Sequence, residues 1–169
     1  MKVLWIKDNN IGHEKQVKIL LDELNKNIDL DIDERHVKGF YPLFTYLEGI
    51  EEKKYDFIIG AGHRTYSLIL SIKKNQKENT KSVAVLSPTF HKDKFDIICS
   101  PSHDKDKFKR INNVIFFEGS LARVSDKDTD ENTVMIAVGG KNKHFAFDED
   151  HIISQIDYFI SIHPNKNCY

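Results

Sequence analysis

The sequence predicts an α/β protein built on a parallel sheet with helices on both faces. Three observations lead there. Short apolar runs of strand length alternate with segments of helical period along the chain. The clearest run, Phe57-Ile58-Ile59, is continuous rather than alternating, which fits a parallel strand covered on both faces. Polar, glycine-bearing loops follow the strands, at the end of such sheets where ligands bind.

The elements follow in order. Lys2–Ile6 (KVLWI) reads as a first buried strand, and the loop KDNNI leads from it to Gly12 and His13. A helix follows, with Val17, Leu20, Leu21 and Leu24 spaced to form one apolar face. Asp29–Val37 alternates through Leu30 and Ile32, as a strand near a sheet edge does. Pro42 suits a helix start, with Leu43, Phe44, Leu47 and Ile50 on the apolar side. Tyr55–Ala61 is the third strand, and Gly60-Ala61-Gly62 turns it into a helix from about Arg64. Glycines there let the backbone turn sharply and approach a ligand, and the first helix amides favour an anion. A tight strand–helix crossing asks for the same glycines with no ligand, so both readings stay open.

Ser82–Leu86, Phe95–Cys99 and Val114–Phe117 read as further strands, the second ended by Ser100 and Pro101. Ser125–Asn132 is charged and aperiodic, a linker. Val134–Val138 is another strand, stopped by Gly139 and Gly140. The last helix, about Asp148–Ile162, carries Ile152, Ile153, Ile156, Phe159 and Ile160, with Asp148 as N-cap. Its apolar side needs a cover, either the first domain or a second copy, so self-association through residues 148–162 is expected.

Composition narrows the function classes. The chain has 169 residues, room for one ordinary domain but not two full ones. With 25 basic and 26 acidic residues the net charge is −1, and nothing marks a nucleic-acid binder. Two distant cysteines, Cys99 and Cys168, match no metal or redox spacing and suit a reduced, cytoplasmic protein. No signal peptide or transmembrane run is present in these residues, and no helix is both amphipathic and strongly basic; peripheral membrane contact stays open.

The unusual polar residues converge on one rim, beyond the carboxyl ends of the strands. They are Asp8, Asn9, Gly12 and His13; Gly62, His63 and Arg64; Ser87; Ser102, His103 and Asp104; and Gly119 with Ser120. Three histidines on a rim suggest hydrogen bonding or general-base work. A histidine satisfying loop backbone explains any one of them as well. No metal site is expected, because no two ligands share zinc-like spacing. Ser87 and Ser102 lack the context of a nucleophile elbow, and the Walker and dinucleotide fingerprints are absent.

Five segments in order carry a resemblance: DNNIGHEKQ (8–16), YDFIIGAGHRT (55–65), FDIICSPSHD (95–104), GSLARV (119–124) and VGGKNKHF (138–145). The chain resembles the mitochondrial-fission "elongated mitochondria" family, whose bacterial members are labelled predicted nucleoside-diphosphate-sugar epimerases or glycosyltransferases. The resemblance implies a glycosyltransferase-B-like architecture of two Rossmann-like domains. Residues 1–126 would be the N-terminal, acceptor-side domain, 127–132 a linker, and 133–169 the start of the C-terminal domain with one strand and helix. It implies His13, Asp104 or His103 as catalytic groups. Gly12, Gly60, Gly62, Arg64, Thr65, Gly119, Gly139 and Gly140 would line the nucleotide-sugar donor or glycan acceptor, with no resident cofactor. The sequence departs from the family in length, in His63 where relatives commonly have Arg, and at Asn142. The length implies a truncated and inactive glycosyltransferase-like form. The alternatives are a non-catalytic interaction module, as in the plant branch that recruits a dynamin-related protein, and a small hydrolase using the loop histidines.

Overall fold

The structure is a computed structural model, and it describes residues 1–37, 53–123, 129–141 and 146–169. The helix expected from Pro42 lies outside the described residues, as does Asn142. The chain divides into two compact units, Met1–Arg123 and Val124–Tyr169.

The first unit is Rossmann-like. Among the described residues its six strands are β1 (Lys2–Lys7), β2 (Asp31–His36), β3 (Phe57–Ala61), β4 (Lys81–Val85), β5 (Ile97–Pro101) and β6 (Val114–Phe117). All pair in parallel, in the order β2-β1-β3-β4-β5-β6. Helices α1 (Ile11–Asn25) and α2 (His63–Lys73) cover opposite faces. The period of two along β1 makes this assignment. Val3 and Trp5 pack with Val17 and Leu21 of α1, whereas Leu4 and Ile6 pack with Leu68, Ile69 and Ile72 of α2. Each such buried side chain stabilises the fold by roughly 1.5–3 kcal/mol. The expected edge strand is an edge strand, β2, with Ile32 partly exposed.

Local chemistry sets the element boundaries. Asn10 caps α1, its Oδ1 accepting from the amides of Gly12 and His13. Gly62 caps α2 without a side-chain hydrogen bond. β5 runs on through Ser100 and Pro101 instead of ending at Cys99, because these two residues pair with Phe116 and Phe117 of β6. Pro101 sits at the strand's last position, where its missing N–H is tolerated. At the opposite end of the sheet Asp96 joins three elements. It accepts from the Ser82 amide and hydroxyl and from Lys73 at the end of α2.

The second unit differs from the lone strand and helix expected. β7 is only Thr133–Val134, and it pairs in parallel with β8 (Asn167–Cys168) across helix α3 (Glu149–Ile162). Further bonds from the Ile136 amide to the Tyr169 carbonyl and from the Tyr169 amide to Val134 extend the pairing. The apolar run therefore does pair, but a two-residue partner shortens the strand. Asp148 caps α3 as expected, its Oδ1 3.0 Å from the His151 amide. No side chain of α3 is fully buried. No helix among the described residues is long and apolar enough to cross a membrane.

Candidate functional site

The sheet order reverses at β1, with β2 on one side of it and β3 on the other. At such a switch point the loops after the two central strands part and open a crevice. The loop after β1 holds Asp8, Asn9 and Asn10. Asn9 takes a left-handed conformation, φ 65°, and its side chain meets His36 Nδ1 at 2.6 Å. That turn aims Asp8 inward. Asp8 is nearly buried; its Oδ1 accepts from the Asn10 amide and its Oδ2 lies 2.7 Å from His13 Nδ1. A carboxylate can only accept, so in the neutral imidazole the contact places the proton on Nδ1 and leaves the lone pair on Nε2.

The loop after β3 presses against this pair. Gly62 has φ +89°, and a Cβ there would stand 2.4 Å from both Asp8 Oδ2 and His13 Nδ1. Only glycine fits. Gly60 is required for a different reason. Its Cβ would lie 2.7 Å from the Ile6 carbonyl and 3.1 Å from Thr65, at the crossing of α2 over the strands. One glycine therefore serves packing and the other makes room for the Asp8–His13 pair.

Ser87, after β4, donates to Asp104 Oδ2 and shares a 2.7 Å hydrogen bond with the buried Ser100. Lys107 Nζ lies 2.6 Å from Asp104 Oδ1. Burial works to raise the Asp104 carboxyl, but the hydrogen bonds from Lys107 and Ser87 outweigh it and hold the group below the ordinary carboxylate value. Both oxygens of Asp104 are engaged by these partners. His103 Nε2 stands 3.9 Å from Asp104 Oδ1, too far for a hydrogen bond, and its side chain is exposed.

These groups surround one cavity of about 370 Å³, lined by His13, Gln16, Gly62, His63, Tyr66, Leu86, Ser87, Pro101, His103, Asp104, Lys107 and Ser120. It brings His13, Gly62, His103 and Asp104 together. Gly12 is adjacent, in the first turn of α1. Thr65 is fully buried, its hydroxyl donating to the Gly62 carbonyl at 2.9 Å, so it holds the loop rather than facing the cavity. Arg64 is exposed at the start of α2. Gly119, φ +65°, has open space around it. Gly139 and Gly140 belong to the second unit, are exposed, and have no heavy atom where a Cβ would crowd.

Three lining residues are not among the candidates the sequence offers. Tyr66 donates its hydroxyl to the Val85 carbonyl at 2.8 Å, and burial pushes its pKa up to about 12, so it remains a donor. Gln16 has a buried side-chain oxygen with no hydrogen-bond partner among the described residues. Lys107 is one turn beyond Asp104, which is the one pattern that could have found it. Among the described residues no group of three or more His, Cys, Asp or Glu side chains could hold a metal ion.

Fold and rim together define a parallel α/β protein with a crevice at its switch point. The family model for mitochondrial fission ELM1 matches residues 11–168, and the chain belongs to that family. No curated protein and no solved structure matches it.

Proposed function

We propose that this chain is a glycosyltransferase-like member of the family, whose rim binds a glycan acceptor and presents a general base to its hydroxyl. The Asp8–His13 pair carries the proposal. It sits at the switch point, its proton is fixed on Nδ1, and Nε2 is left as the basic atom. In a relative that turns over, the acceptor proton would pass to Nε2 as the acceptor oxygen bonds to the anomeric carbon of a nucleotide sugar. The bond from that carbon to the diphosphate would break in the same step. The first amides of α2, uncapped by any side chain, suit the negative charge that leaves. The orphaned oxygen of Gln16 suits a hydroxyl ligand, since a buried acceptor left unmatched is costly.

The donor side has less support. Gly139 and Gly140 stand exposed, and no atom of the described residues comes within 4 Å of where a Cβ would lie. The chain by itself is therefore proposed to bind acceptor without turning over. Product analysis with uridine-, guanosine- and adenosine-diphosphate sugars should give no transfer from this chain. Saturation-transfer NMR should show saccharide binding that Gln16→Leu weakens. A rim that binds no saccharide would overturn the proposal, and formation of product would overturn its inactivity.

The two free thiols support a reducing, cytoplasmic setting. Self-association through α3 is supported by Ile153, Ile160 and Ile162, all at least two-fifths exposed. Light scattering that finds a strict monomer would remove it. A non-catalytic interaction module is the second reading. It is favoured by an apolar groove of about 300 Å³ on the α1 face of the sheet, between Leu20 and Leu24 and the strand residues Val83, Ile97 and Ile115. A module of that kind predicts no saccharide affinity at the rim.

A further inference from the structure

Beside the rim lies a second cavity of about 270 Å³ whose lining is different in kind. It is formed by His63, Tyr66, Ser67 and Leu70 of α2 and by Thr89, Phe90 and His91 of the loop after β4. Among the described residues no carboxylate, lysine or arginine lines it. The loop that supplies its outer wall is held in an unusual shape, with Leu86 at φ 72° and His91 at φ 55°, both left-handed. That conformation leaves Phe90 76% exposed, although the fold offers a large apolar core a few residues away in Phe95. A phenylalanine presented to solvent on a loop of two left-handed residues gains nothing from burial, so its ring is available to a ligand.

From this arrangement we infer that the Phe90 cavity is a subsite for one neutral sugar ring of the acceptor, stacked on the Phe90 face. The inference rests on the acceptor-binding reading of the rim and deepens it. The chemistry of the lining selects the ligand. An anion such as a nucleotide diphosphate finds no lining cation here. A wholly apolar ligand would strand the hydroxyls of Ser67 and Thr89 and the imidazoles of His63 and His91. A pyranose has both characters. Its C–H face carries slight positive charge and meets the negative face of the aromatic ring, while its equatorial hydroxyls reach polar groups at the edge. Thr89 Oγ1 and His63 Nδ1, 3.4 Å apart, stand together at that edge. His63 and Tyr66 line both cavities, so a ring seated on Phe90 adjoins the space in front of His13.

The test is saturation-transfer and titration NMR on the full chain with methyl glucoside, N-acetylglucosamine and rhamnose, with uridine as the comparison for a stacked nucleobase. The subsite predicts saturation of ring protons of at least one sugar, shifts of the Phe90 ring signals, and binding about tenfold weaker in Phe90→Ala. Phe90 is exposed, so the variant keeps the fold, and Phe90→Trp should retain binding. Sugar binding that survives Phe90→Ala unchanged would overturn the inference, as would uridine displacing the sugars or no binding by any of them. The two proposals fail separately. Sugars that perturb Phe90 but leave His13 untouched refute the base at the rim and keep the subsite. Sugars that perturb His13 and ignore Phe90→Ala do the reverse.

Discussion

His13 Nδ1 lies 2.7 Å from Asp8 Oδ2, and the Cα of Gly62 faces the middle of that contact so closely that no side chain fits. Two segments, one with the partners five positions apart and the other with a single glycine, therefore make one object. Gly62→Ala places a methyl 2.4 Å from each partner and requires a left-handed alanine as well. It should cost more than about 2 kcal/mol in denaturant unfolding and split the pair. Gly119→Ala should cost only about 1 kcal/mol, because the same left-handed strain occurs there in open space. Gly139→Ala, exposed and uncrowded, should be close to neutral.

Acid should weaken the first unit through Asp96. Burial acts to raise this carboxyl, but hydrogen bonds from Lys73 and Ser82 prevail and hold it below the ordinary value of 3.8. A group depressed in the folded state contributes its stability above the unfolded value and loses it as pH falls through the folded one. Urea midpoints should therefore decline below about pH 4. Asp96→Ala should lower stability by about 1–3 kcal/mol at neutral pH, and the acid slope should flatten. A slope unchanged in the variant would show that other carboxylates carry it.

Tyr66 gives the alkaline counterpart. Its folded-state value is raised to about 12, chiefly by burial, from an ordinary 10.0. A raised group contributes stability below its unfolded value and loses it as pH rises toward the folded one. Stability should fall between about pH 10 and 12, and ultraviolet titration should find one tyrosine ionising late. Tyr66→Phe abolishes that late step and leaves the buried Val85 carbonyl without its donor, costing about 1–2 kcal/mol.

How much of this could be read in the sequence depends on range. The apolar period of Val17 and Leu21 and the continuous Phe57-Ile58-Ile59 run are local, and they announced α1 and β3 correctly. The rim was legible because parallel topology sends every strand's end the same way. The division of labour between Gly60 and Gly62 was not, since it depends on what stands opposite each one: the Ile6 carbonyl for Gly60, Asp8 and His13 for Gly62. Tyr66 reads as one more apolar position on α2, and its acceptor lies 19 residues away. β8 escaped notice because Asn167–Cys168 is too short to show any period.

Asp8→Asn tests the polarity of the pair. An amide can offer either its oxygen or its nitrogen to His13, so the fixed tautomer should give way to a mixture. Long-range proton–nitrogen NMR of the imidazole reads this directly.

The same spectrum of the unaltered chain, recorded with and without a saccharide that binds, shows whether the Asp8–His13 pair presents a base to a hydroxyl. Free His13 should show a protonated Nδ1 and an unprotonated Nε2, and Nε2 alone should shift when the sugar hydroxyl arrives. A His13 with its proton on Nε2, or an Nε2 signal indifferent to a bound sugar, would contradict that role.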